Sequence, residues 1–468
     1  MKTAGDSVSI SIVPPSPPPN AARVTPTLDF PHPIPTPRQE TLHITVQSGE
    51  TLKSIARVYQ VSLQQLAIVN QLADPNLLSV GQKLMIPPPQ EQADAPEFKL
   101  ISDSEMVYAP YNAAFNSAAF IHAQGGYLAD YREVVEEKEL SGAQIVERIA
   151  REHSVNPRLL LAVLEYQSDW VSNPNPAEET RQYPMRMSTS GWEGLFQQLN
   201  FAANELNRGY YLWRMNAAAF WVLQDGSVIA VSPYLNAGSA ALQNLFAELK
   251  NYDEWESALS ENGVYATYQE LFGNPFDYAL EPLIPLDLQQ PPLQLPFEKG
   301  VNWYFTGGPH SAWGSGSAWA ALDFAPLLTV LGCTRSDEWV VAAADGLIVF
   351  AENGMLIQDL DGDGFWQTGW SLLYLHIENR ERAAVGNTLK AGQRIGHPSC
   401  EGGVSNGTHV HLARRYNGEW ISTDGELPFM LDGWVSAGEG VPYNGTMTKN
   451  GVAIQADDRA AEENTIRR

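Results

Sequence analysis

Two histidines flank a single valine in the stretch SNGTHVHLARR, residues 405–415, of a chain with only 9 histidines in 468 residues. Successive side chains of a strand point to opposite faces, so His409 and His411 project together, roughly 7 Å apart at the backbone. Two imidazoles side by side suit a metal clamp better than an apolar core. The same pair also fits two surface histidines on a polar strand, and the surrounding motifs have to decide. His310, His376 and His397 lie upstream in the same region. Metal-assisted hydrolysis wants three protein ligands, imidazole nitrogen or carboxylate oxygen, and an open fourth position. Water on zinc in such a site has a pKa of about 7, and the ion polarises a carbonyl. Further histidines nearby can move the protons.

Composition narrows the setting. The length suggests roughly three domains at about 150 residues each. The 29 basic and 54 acidic residues leave a net charge of −25, which argues against nucleic acid or an anionic membrane as the main partner. No apolar run reaches the ~18 residues of a membrane span. The first thirty residues lack the basic and apolar regions of a signal peptide, so an export signal is not expected among them. Cys333 and Cys400, the only cysteines, are too few for a disulfide framework but enough for one bridge in an exported protein.

The elements that must position these histidines form the last of several units. Residues 1–41 are proline-rich and read as an extended linker. Residues 42–88 read as strand, helix, helix, strand: Leu52, Ile55, Ala56 and Tyr59 share one helical face, and Ser62 with Gln65 forms a capping box. The whole stretch, HITVQSGETLKSIARVYQVSLQQLAIVNQLADPNLLSVGQKLMIPP, resembles a LysM module. That resemblance implies binding of N-acetylglucosamine-containing glycans between two loops, through Gly49, Glu50, Thr51 and Leu52 on one side and Pro75, Asn76, Leu77 and Leu78 on the other. Leu52 and Leu77 equally fit core positions.

After a connecting segment at 89–139, residues 140–280 turn helical. Ser141 and Gln144 form a capping box, and Asn156 caps a helix with Pro157 at its first position. NPRLLLAVLEYQSDW, GLFQQL and SPYLNAGSAAL resemble the lysozyme-like lytic transglycosylases. Gln167 stands where that family's catalytic glutamate belongs, and an amide is not the general acid that glycosidic cleavage needs. The resemblance therefore implies a non-catalytic glycan-binding or spacing domain, with Gln167, Ser168, Gln197 and Asn236 marking the old cleft. Glu165 offers the alternative acid.

From 281 to 448 the pattern becomes alternating strands with Gly and Asn/Asp turns, an antiparallel sheet; a polar tail is expected at 449–468. FTGGPHSAWGSGSAWAALDFAP, LLYLHI and GTHVHLARR resemble the motifs of the M23 zinc metallopeptidases, the lysostaphin-type peptidoglycan endopeptidases. The resemblance implies His310, Asp323 and His411 as zinc ligands, His376 and His409 as the catalytic pair, and Tyr304 as an oxyanion stabiliser. It departs from the family in one respect: twelve residues, rather than three, separate His310 from Asp323, so the glycine- and serine-rich excursion must loop out. His397 is taken as structural. Asp359, Asp361 and Asp363 in DLDGDG copy the first half of a calcium loop, although position 12 is Trp370, and a polar hairpin tip fits as well. Cys333 and Cys400 fall within this domain.

The expected fold is multidomain α+β: a small βααβ LysM domain, a mostly α-helical lysozyme-like domain and a C-terminal antiparallel all-β peptidase domain. The expected function is an exported zinc endopeptidase of the cell envelope or exterior, cutting peptidoglycan stem peptides or cross-links, with Zn2+ and, through the acidic loop, Ca2+ as cofactors. Its rivals are a non-catalytic wall-binding scaffold or hydrolase activator, and a glycosidase working through Glu165.

Overall fold

The computed structural model describes residues 31–72, 74, 77–90, 93–327 and 332–468. The expected linker at 1–41 is therefore described only from residue 31, and there His32 stacks on Trp213 at 4.1 Å and donates its backbone N–H to Pro233.

Strand β1 (Leu42–Thr45) pairs antiparallel with β2 (Lys83–Ile86), and helices α1 (Leu52–Val58) and α2 (Leu63–Val69) lie between them in sequence. Leu52, Ile55, Ala56, Leu66, Leu84 and Ile86 form the core. The capping box falls at Thr51 and Ser54 of α1; at α2, Ser62 accepts from the Gln65 amide. One face of α1 is tied to the next unit: the Arg57 guanidinium pairs with Glu205 and with Glu248, and Gln60 Nε2 donates to the Ala217 carbonyl.

The helical part is built on α3 (Gly142–His153), α4 (Pro157–Ser168), α5 (Leu195–Arg214) and α6 (Ala237–Leu249). The expected caps form at Ser141/Gln144 and at Asn156. Gly209 lets α5 and α6 approach closely; a Cβ there would sit 2.6 Å from that of Asn244. The segment expected as a connector over 89–139 instead contributes Leu100, Ile101, Met106, Tyr108 and Leu128 to the same core. Its apolar residues are too scattered for one periodic element, but short helical turns bring them inward.

The C-terminal part is an antiparallel sheet. With β3 (Asn302–His310), β4 (Ala321–Pro326), β5 (Gly346–Glu352), β6 (Met355–Asp359), β7 (Trp370–Leu375), β8 (Thr388–Leu389), β9 (Val410–Tyr416), β10 (Glu419–Trp420) and β11 (Thr465–Arg467), the order is β8-β5-β6-β7-β9-β4-β3-β11, with β10 on β9. The expected polar tail at 449–468 is thus partly structural: β11 pairs with β3, and Ile466 is buried. Ile454 is buried in the same core.

Both faces of this sheet are covered. Leu322, Phe324, Leu372, Tyr374, Val410 and Leu412 enter one core, whereas Ala321, Leu373, Leu375, Ala413 and Trp420 join the core of the helical part. That explains why β9 is buried along almost its whole length. At this junction Trp420 donates from its backbone to Tyr211 Oη and from Nε1 to the His153 carbonyl, and Arg214 pairs with Glu419 at 3.1 Å. The Arg415 guanidinium lies between Trp366 and Trp420, 4.2 and 4.4 Å from their centroids.

His153 is expected to make this junction acid-sensitive. Its Nε2–H faces Asn200 Oδ1 at 2.8 Å, while Nδ1 is buried without a partner. Burial pushes the imidazole down to about 4. Between pH ~6.5 and 4 the unfolded chain binds a proton that the fold refuses, so stability falls as pH drops through that window, by roughly 3 kcal/mol in total. Thermal melts of wild type and His153→Gln across pH 4–7 are expected to show a shallower acid slope in the variant; equal slopes would refute the assignment.

Candidate metal centre

Strand pairing brings the ligating residues together. His411 on β9 stands directly opposite Asp323 on β4, which places their Cβ atoms about 5 Å apart on one face. On the other side of β4, the β3 register slips between Gly307, which faces Asp323, and His310, which faces Ala321. The slip turns His310 toward the other two, and the excursion loops out beyond the His310–Ala321 pair, over residues 311–320.

His310 Nε2, Asp323 Oδ1 and His411 Nδ1 lie 3.0–3.2 Å from one another. The opposite nitrogens fix the tautomers: His310 Nδ1–H donates to the Gly308 carbonyl at 2.7 Å, and His411 Nε2–H to the Ala312 carbonyl at 3.0 Å. Two imidazole lone pairs and a carboxylate oxygen therefore converge, and Asp323 Oδ1 is buried without a hydrogen-bond donor. Such a cluster repels itself unless a cation or proton sits at its centre. All three residues are buried. Burial would raise the Asp323 carboxyl, yet His310 and then His409 hold it well below the usual carboxylate range. His310 is raised, because the Asp323 charge outweighs its burial, while burial lowers His411. The donor set, two imidazoles and one carboxylate with carbonyl partners behind the imidazoles, fits a zinc ion.

His376 and His409 stand alongside. Their rings are 4.5 Å apart, and His376 is 6.3 Å from His411. His376 follows the last residue of β7 with φ +65°, a conformation that side chains seldom adopt. Its Nδ1–H donates to the Glu401 carbonyl, and that of His409 to Gly407, leaving both Nε2 atoms free of those bonds. His409 Nε2 is 3.7 Å from Asp323 Oδ2. Burial, then the charges of His409 and His411, push His376 down to about 3.

Tyr304 pairs with Ala325 and Thr465, beyond the Gly307–Asp323 pair. Tyr443 meets the cluster, its ring stacking on His310 at 4.2 Å. The Gly308 amide donates to its carbonyl, and its own amide donates to Pro309. Nothing in the spacing marks Tyr443, which lies in a turn far along the chain; only its aromatic type is a signal. His397 is structural, between the Glu338 carbonyl and Glu381 Oε2.

Elsewhere the expected sites divide. The carboxylate oxygens of Asp359, Asp361 and Asp363 come within 4.8 Å of one another, but Asp359 accepts from the amides of Asp361, Gly362 and Gly364, and Asp363 from Phe365 and Thr368. The loop is held by its own amides as a hairpin tip, and calcium gains no support. Cys333 and Cys400 form a disulfide. In the glycan loops, Leu52 is core, Thr51 caps α1 and Glu50 accepts from the Gln47 amide. Gly49 occupies a turn at φ +86°. Leu77 is exposed and Leu78 packs on the small core; Pro75 and Asn76 lie outside the described residues.

The residues carrying the lysozyme resemblance do not open on one cleft. Gln167 and Ser168 are buried and bonded to the Met185 and Leu164 carbonyls, Gln197 is exposed, and Asn236 Nδ2 donates to Ile101 and Asp103. Glu165 accepts from the amides of Val171 and Ser172 just beyond the end of α4. The Ser172 hydroxyl bonds its other oxygen, so the Glu165 carboxylate is engaged by the chain that follows α4.

Comparison with known proteins matches residues 99–286 to the LasA N-terminal domain and residues 44–87 to the LysM domain. Protease LasA of Pseudomonas aeruginosa is 28% identical over 352 residues, 69% of this chain and 75% of that protein. N-acetylmuramoyl-L-alanine amidase XlyA of Bacillus subtilis is 43% identical over 58 residues, 12% of this chain and 19% of that protein. Among solved structures, the M23 metalloprotease pseudoalterin, from the deep sea, has 26% identity and a TM-score of 0.31, covering 36% of this chain and 96% of its own. The catalytic domain of lysostaphin from Staphylococcus simulans has 24% identity and a TM-score of 0.19, covering 26% and 89%. The chain carries a LysM domain and a LasA-like N-terminal domain, and it is homologous to Protease LasA.

Proposed function

We propose that this protein is a zinc-dependent endopeptidase of peptidoglycan, acting at the cell envelope or outside the cell, and that its LysM domain retains it on glycan strands. The observation that carries this reading is the convergence of His310 Nε2, Asp323 Oδ1 and His411 Nδ1 beside a second histidine pair. Homology to Protease LasA and the presence of a LysM domain support it. Among the described residues no helix is long and apolar enough to cross a membrane.

Zinc held by those three atoms would supply Lewis acidity toward the scissile carbonyl and would make water easier to deprotonate at neutral pH. The protein's own groups do the rest. The Gly308 and Ala312 carbonyls hold the N–H of each imidazole outward so that both lone pairs face inward, and Asp323 adds the negative charge that balances a cation there. His376 and His409 each keep an Nε2 lone pair free beside the cluster, so either can take a proton from the attacking water and then return that same proton to the leaving amine. Tyr443 fixes the plane of the His310 ring. The domain division follows: residues 42–88 bind, 281–448 cut, and 140–280 supports the cutting sheet.

Mass spectrometry of a peptidoglycan digest is the test. New amino termini are expected; anhydro or reducing sugars would mean a glycosidase, and neither product would mean a wall-binding scaffold. Retention of the full chain on insoluble peptidoglycan is expected to fall several-fold with Leu77→Asp, which places a charge on an exposed apolar loop side chain. Unchanged retention would remove that loop from glycan binding.

A further inference from the structure

We propose that Asn204, on α5 of the helical part, is a positioning residue for the metal centre, a role that rests on the zinc reading above. The excursion between His310 and Asp323 supplies the Ala312 carbonyl that accepts His411 Nε2–H at 3.0 Å, and that bond leaves Nδ1 as the ligating atom. An imidazole has two tautomers, and the partner of one nitrogen selects the atom offered at the other. Whatever fixes the excursion therefore fixes the ligand.

The excursion closes on itself through Ala312 N–H to the Ala318 carbonyl and Trp313 N–H to Ser317 Oγ. Its tip is held from outside by Asn204. Asn204 Oδ1 accepts from the amides of Ser315 and Gly316, both at 2.9 Å. Two amide donors facing one end of the side chain demand oxygen there, so its orientation is determined. The Nδ2 end donates to Ser315 Oγ at 3.3 Å and to Glu205 Oε1 at 3.1 Å. Glu205 in turn pairs with Arg57 of the LysM helix. The loop lies flat against α5: a Cβ on Gly316 would overlap the Asn204 carbonyl, and one on Gly314 would sit 2.7 Å from Asn204 Oδ1. A run rich in glycine and serine is costly to order, and bonds that order it before the metal arrives remove that cost from binding. Asn204 thus links the LysM and helical parts to the ligand set of the peptidase sheet.

The test is zinc affinity of the metal-free full-length chain, by chelator competition, for wild type, Asn204→Ala, Asn204→Asp and Gly316→Ala. Asn204→Ala is expected to weaken zinc about 10-fold or more, the range for losing support behind a ligand. Asn204→Asp, made together with Glu205→Gln so that no second carboxylate faces the new one, keeps the acceptor oxygen and is expected to stay within about 3-fold of wild type. Gly316→Ala breaks the contact from the loop side, so it is expected to match Asn204→Ala and to add little in the double variant. It also keeps the proposal testable should Asn204→Ala fail to fold. Visible spectra of the Co2+ forms are expected to change in the two alanine variants alone. Wild-type affinity in both alanine variants, or an equal loss in Asn204→Asp, would overturn the positioning role while leaving the metal site intact. A wild-type chain that binds no zinc would overturn both readings.

Discussion

Alanine in place of His310, Asp323 or His411 is expected to abolish zinc binding and peptidase activity together, whereas alanine at His376 or His409 is expected to leave zinc near one per chain and lower turnover by about 10²–10⁴. The division follows from which atoms converge. The first three residues contribute atoms 3.0–3.2 Å apart, and two ligands hold zinc far less tightly than three. His376 and His409 instead face the cluster from the side, each anchored through Nδ1–H to a backbone carbonyl. Elemental analysis across the five variants separates the classes. A His409→Ala protein that loses its zinc while His411→Ala retains it would reverse the assignment of the two histidines.

Removing the Cys333–Cys400 bridge is expected to lower stability by about 4 kcal/mol, the chain-entropy value for its sequence separation of 67 residues. The bridge joins two loops beside the second histidine pair. Thr408 donates to the Thr334 carbonyl, the His409 amide donates to Ser399, and Ser405 Oγ reaches both Cys400 Sγ and His409 Nδ1. Reduction therefore frees the chain on both sides of His409 as well as enlarging the unfolded ensemble. Urea melts with and without reductant, and with Cys333→Ser/Cys400→Ser, measure the loss. Equal midpoints would show that packing alone holds these loops.

Much of the chemistry was legible because it is local or motif-borne. HxH alternation set His409 and His411 on one face, and the motifs around His310 and His376 supplied the partners. The caps at Ser141 and Asn156 depend on residues three or fewer positions apart and formed as expected. Tyr443 was not legible, since it reaches His310 only through backbone bonds between its turn and Gly308 and Pro309. The segment at 89–139 and the tail at 449–468 were underestimated for a related reason. Each places a few apolar side chains into a core built by other parts, and sparse apolar residues leave no periodic signal.

By itself, the sequence determined the donor types, the strand that carries His411 with His409 just ahead of it, the LysM module and the two cysteines available for one bridge, because these reside in residue identity and short-range spacing. Only the tertiary structure decided that His411 faces Asp323 across β9 and β4, that a register slip in β3 turns His310 toward them while the excursion loops out beyond it, and that the helical part covers the face of the sheet bearing the metal cluster. Those are long-range pairings, and their partners are chosen by burial and register rather than by the neighbours of each residue in the chain.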